Sequence, residues 1–231
     1  MGQVARLLVA LVVGMCAVAA SGGLAAVRGS EDPTQATQNA PSADLQKLVA
    51  SGKLEDLRWP DFSDFANEVK EFYQKGNYAP AWVRGGRPTP QAQTMIGILE
   101  AADSKGLRAE DYDGGRWSAR ANQLNNDENV ARFDLALTVS AMRYISDLHV
   151  GRVNPQQIFL QLTVKKSEYD LAQFLRDRIA NGDDLRGALA EIEPPFAGYK
   201  RTLAALDRYE ELAKQDEGGT LPASSKSIDR G

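Results

Sequence analysis

One cysteine, Cys16, and one histidine, His149, occur among the 231 residues, so nucleophilic or metal chemistry must be sought around these two side chains. Cys16, however, lies in an apolar run that follows Arg6, Leu7 to Val13 and on through Met15 to Ala20. Ala17-Val18-Ala19 and Leu24-Ala25-Ala26 then offer Ala-x-Ala-like cleavage sites, the order of a secretory signal. The run is short for the roughly 20 residues that cross a bilayer core. Met15 stands where a lipobox needs Gly, Ala or Ser. Residues 1–25 therefore read as a cleavable signal peptide, and the mature chain has no thiol. Membrane attachment is expected only if the signal stays uncleaved.

His149 alone cannot carry much. A Ser-His-Asp arrangement could use Asp147 as orienter, but no G-x-S-x-G elbow is present. No S-x-x-K pair occurs, which removes the serine-lysine acyl-enzyme plan. One imidazole does not make a zinc or iron site, and neither a phosphate loop nor a dinucleotide fingerprint is found. No catalytic residue, no cofactor and no metal are expected. Glu68 and Glu71 could be paired carboxylates, but they read as the solvated face of a helix with a phenylalanine stripe.

Four residues remain as candidate interaction sites. Trp82, with Tyr78 beside it, reads as a stacking platform for glycan, as a contact for another module, or as an aromatic that seals the core, the last being expected. His149 can cap the carbonyls at the end of a long helix. Arg152 can bind a peptide carboxylate or pair with Asp147 or Asp134. Structural roles are expected for both.

The elements that must position these residues are helical. Residues 26–42, rich in Gly, Ser, Pro, Thr, Gln and Asn, read as a disordered tether. Helices are expected over 43–50 and from Asp61 to about 75, the second carrying Phe62, Phe65, Val69, Phe72 and Tyr73. The stretch 78–83 is Pro-broken and extended, closed by Gly85-Gly86. Thr89-Pro90 reads as an N-cap with proline at the first helical position, and Gly106-Leu107 as a Schellman stop. Further helices are expected over 127–148, 167–180, 184–192 and 197–214, the last presenting Tyr199, Leu203, Leu206 and Tyr209. Residues 215–231 read as a linker. The fold class is all-α, a mostly helical, orthogonally packed bundle over 43–214 with a short extended segment near 78–83.

Losing the signal removes Arg6 and no acid, so the formal charge of −4 becomes −5. That balance argues against nucleic acid and anionic lipid as partners. Without cysteine the exported chain cannot use disulfides, so packing alone must hold it.

Four segments in order resemble a known family: FYQKGNYAPAW around Tyr73 and Trp82, GLRAEDY at Gly106–Tyr112, DLALTVSAMRYISDLHVGRVNP at Asp134–Pro155, and Leu189–Tyr209 with its Glu193-Pro194 break. They look like the helical scaffold domain of the large Gram-negative L,D-transpeptidases, those with a YkuD-type catalytic domain. The resemblance implies an exported, periplasmic protein acting in peptidoglycan biogenesis. In that family a cysteine in a His-Gly-Cys motif attacks the diaminopimelate carbonyl of a donor stem peptide and releases D-alanine, and an acceptor amine completes a 3→3 cross-link. This chain has no such motif. The implied role is a non-catalytic scaffold whose partners are downstream peptidoglycan-binding and catalytic modules, together with peptidoglycan itself. The tail Leu221–Gly231 resembles the segment that leads into the next module, so the chain reads as truncated at a domain boundary. The alternative is a stand-alone periplasmic module that binds peptidoglycan or protein without chemistry, and a hydrolase using acidic residues is a third.

Overall fold

A computed structural model describes residues 42–152 and 169–215. The signal, the tether up to residue 41, Asn154-Pro155, the expected helix start at Ser167 and the C-terminal linker from residue 216 lie outside the described residues. Among those described, the protein is all-α apart from one two-stranded hairpin.

Local chemistry sets most helix starts. Helix α1 spans Ala43–Ser51, with the Ser42 hydroxyl accepting from the Leu45 amide and Gly52 ending it at φ 66°. Helix α2, Ala66–Lys75, begins later than Asp61. The Asp61 carboxylate accepts from the Ser63 amide at 2.8 Å, and a 3₁₀ turn, Ser63–Phe65, precedes the regular helix. Aspartate bonding to the amide two residues on favours a turn over immediate helix entry. Phe62, Val69, Phe72 and Tyr73 are buried as the spacing predicts, and Phe65 is half-buried.

The segment after α2 opens on a left-handed turn at Asn77 and Tyr78 (φ 51° and 54°), where an extended start was expected, and only Val83–Arg84 (β1) pairs, antiparallel, with Arg87–Pro88 (β2). Gly85 and Gly86 turn the hairpin at φ 56° and 69°, which only glycine adopts freely. Thr89 caps helix α3, Pro90–Glu100, through the Ala92 amide, with Pro90 in the first turn. The chain then runs through a 3₁₀ turn, Ala102–Lys105, closed by Gly106 at φ 71°. The Leu107 and Gly106 amides donate back to the Ala102 and Asp103 carbonyls, the two bonds of a Schellman stop.

A short helix α4, Trp117–Ala121, leads to the longest, α5, Asp127–His149, capped by Asn126. The expected inward stripe of α5 is there, with Val130 half-buried at its start, but Leu135, Val139 and Met142 on its other faces are buried too. Every residue from Phe133 to Met142 is buried, so this stretch runs through the middle of the domain, and α1, α3, α4, α6 (Leu171–Phe174) and α7 (Leu185–Ile192) pack around it.

Helix α6 is capped by Asp170 and runs on as a π-helical turn, Leu175–Ala180. Asn181 and Gly182 end it as read. A Cβ at Gly182 would strike the Arg178 carbonyl, so the chain can turn there only without a side chain. Helix α8, Ala197–Lys214, departs from expectation. It packs on the Ala102–Lys105 turn, has no buried residue, and leaves Tyr209 70% exposed instead of inward. Its apolar residues recur every three positions from Leu203 to Leu212, so the stripe winds off the contact face along the helix.

Candidate functional site

The four candidate residues fall at two places along α5. Trp82 lies by its first half, against Asp134 and Thr138, with Tyr78 four residues earlier in the same segment, whereas His149 and Arg152 lie at its C-terminal end. The 15 residues from Asp134 to His149 separate these places by about 22 Å of helix.

Trp82 is fully buried, as the expected core-sealing role requires, and does not offer a stacking platform. Its indole N–H donates to Thr138 at 2.9 Å, and its amide donates to the Asp134 carboxylate at 2.7 Å. Asp134 also accepts from the Ala81 amide at 3.0 Å and the Tyr73 hydroxyl at 2.8 Å. Burial pushes the Asp134 carboxyl up to about 6, even though these three donors and Arg84 favour the charged form. The Tyr73 hydroxyl is raised well above its ordinary value by the same burial and by the charge on Asp134. This network pins the Ala79–Val83 segment to the central helix. Tyr78, half-buried with φ at 54°, packs on the core edge and accepts the Ser42 amide at its carbonyl. A left-handed tyrosine is strained, and the Tyr78 amide bonded to the Tyr73 carbonyl at 2.8 Å holds it there.

His149 reaches across to α7. Its Nδ1 lies 3.0 Å from the Ile192 carbonyl, and its ring stacks on Tyr169 at 4.6 Å. A carbonyl only accepts, so Nδ1 carries the proton. The capped carbonyl belongs to the last residue of α7, and not to the helix that carries His149. Asp147 does not orient the imidazole. It accepts from the Tyr112 hydroxyl at 2.7 Å and faces Arg152 at 3.8 Å. Arg152 makes its closer pair with Asp111, 2.8 Å away, and Asp134 is not its partner. Burial raises the Asp147 carboxyl, while Tyr112 and Arg152 pull it back down.

Two concavities flank this end of α5. One, of about 500 Å³, is lined by Trp59, Asp61, Asp64, Arg143, Asp147 and Arg152 among others. The other, of about 600 Å³, is more apolar and brings His149, Val150 and Ile192 together with Phe196 and Tyr199. Val150, Phe196, Tyr209 and Leu212 are all exposed along this side and α8. Sequence reasoning passed over Trp59, Asp111 and Arg143. The Trp59-Pro60 dipeptide, between α1 and α2, was the available signal for the first.

Among the described residues, no group of three or more metal-ligating side chains converges. Together the fold and the site define a helical packing module with side chains tied to one another and an apolar flank. A family match agrees: the scaffold domain matches residues 67–206, from the start of α2 to the middle of α8. That is more than half of the chain, which belongs to the scaffold-domain family. No curated protein and no solved structure matches it.

Proposed function

We propose that this chain is the non-catalytic scaffold of an exported, periplasmic L,D-transpeptidase that forms 3→3 cross-links in peptidoglycan. The scaffold-domain match over residues 67–206 carries the reading, and the ordered segments around Trp82, Tyr112, Asp134–Arg152 and Tyr199 supply its finer part. The chain would do no chemistry itself. It would hold a catalytic module through apolar side chains left exposed at the end of α5 and along α8: Val150, Phe196, Tyr209 and Leu212.

The test mixes the mature chain with a separately produced YkuD-type catalytic domain and follows complex formation by analytical ultracentrifugation. A complex that is lost in Phe196→Asp and Leu212→Asp is expected. The chain alone, incubated with isolated sacculi, should yield no new 3→3 dimers by mass spectrometry. Cross-linking by the chain alone would overturn the non-catalytic role. Absence of a complex would favour the stand-alone binding module.

A further inference from the structure

Of three tryptophans, Trp82 and Trp117 are fully buried and Trp59 is 51% exposed. Trp59 stands at the rim of the 500 Å³ cleft, a size within the range of about 300–1,000 Å³ usual for ligand sites. Its loop is held rigidly. Lys53 and Asp61 bridge its base, and the Leu54 amide donates to the Pro60 carbonyl at 2.9 Å. From α5, the Arg143 guanidinium donates to the Trp59 and Asp61 carbonyls at 3.0 and 2.7 Å. Arg58 lies 5.6 Å from the indole centroid, also bracing the ring. A large aromatic kept in water on a braced loop is preorganised for contact.

The polar groups narrow the ligand class. Asp61, Asp64, Asp111 and Asp147 outnumber Arg143 and Arg152 in the cleft, which disfavours phosphates and carboxylates. The carboxylates do not converge as a metal cage would require, and Asp111 and Asp147 already face Arg152. What remains is a ring of separated acceptors and donors around an aromatic face. A sugar presents the matching surfaces: a C–H face for the indole, and hydroxyls that both donate and accept. We propose that the Trp59 cleft is a binding site for a neutral saccharide, with Trp59 stacking on one ring and Asp61, Asp64 and Arg143 reading its hydroxyls. Saccharide binding depends on the cleft alone; only its source, the glycan strand of peptidoglycan, rests on the cell-wall reading above.

Because Trp59 alone is open to solvent, acrylamide quenching of tryptophan fluorescence reports on it selectively. The mature chain should be titrated with an N-acetylglucosamine tetramer, with a lysine-containing tetrapeptide as comparison, and sedimented with isolated sacculi. The tetramer is expected to protect Trp59 saturably, and the peptide not to. In Asp64→Asn the affinity should fall by about threefold to tenfold, and in Trp59→Ala, followed by calorimetry, by about tenfold or more. Asp64→Asn also serves if Trp59→Ala does not fold. No protection by the tetramer, protection by the peptide alone, or binding unchanged in both variants would each overturn the site. Binding of the tetramer without binding of sacculi would keep the saccharide site and overturn the glycan strand as its source.

Discussion

Replacing Asp134 by asparagine should change how stability depends on pH more than stability at any one pH. The carboxyl is held at about 6 in the folded protein against 3.8 in the open chain. The folded state therefore binds the proton more tightly, and the stability this gives is full below 3.8 and lost as pH rises through about 6. At about 1.4 kcal/mol per pH interval, the full effect is about 3 kcal/mol, of which about 1 kcal/mol lies between pH 7 and pH 5. Asparagine does not titrate. Its NH₂ must also turn toward a donor, either the Trp82 amide or the Ala81 amide with the Tyr73 hydroxyl, orphaning a buried group at about 1–3 kcal/mol. At pH 7 the relief of a buried charge offsets much of that loss, so the two proteins should be close. At pH 5 the wild type should be ahead by about 1 kcal/mol more than at pH 7. Urea unfolding followed by circular dichroism, on both proteins at both pH values, measures this difference. Asp147, raised by burial, and Asp61, lowered by its bonds to Ser63, titrate in both proteins and cancel. A difference that stays constant, or that narrows at pH 5, would refute the reasoning.

Trp82→Ala removes a fully buried indole and its bond to Thr138, and should cost about 3–5 kcal/mol, seen as a large fall in urea midpoint. Tyr112→Phe loses the 2.7 Å bond to Asp147 and should cost about 1–2 kcal/mol in the same assay. Gly106→Ala must hold a side chain at φ 71°, and should lower stability by about 1–2 kcal/mol while leaving the fold intact by circular dichroism. Tyr209→Ser, at a 70% exposed position, should leave stability within about 0.5 kcal/mol and reduce binding of a hydrophobic dye to the α8 flank.

Signals confined to a few neighbouring residues were legible from the chain. Thr89-Pro90, Gly85-Gly86 and Gly106-Leu107 act through backbone angles and bonds spanning only a few residues, and each occurs as read. Asp61 shows the limit of such signals, because its side chain satisfied a turn instead of the first turn of a helix. The central place of α5 was not legible from one stripe, since period alone does not say that a second face will also be covered. Nor was the role of Asp134, because the Tyr73 hydroxyl it binds is 61 positions away. Trp59 and Trp82 look alike in sequence, each beside a proline-broken segment. Both loops lie against α5, but Trp82 turns its indole inward to bond Thr138, whereas Trp59 is held by its backbone carbonyl on Arg143 and its ring stays half in water. The α8 stripe is apolar in sequence, but what covers such a stripe is not written within the helix itself.

The most direct measurement is the sequence of the transcript beyond the Gly231 codon. The scaffold reading predicts an in-frame peptidoglycan-binding-like module followed by a domain with a His-Gly-Cys motif. A stop codon with no such domain encoded nearby would contradict it.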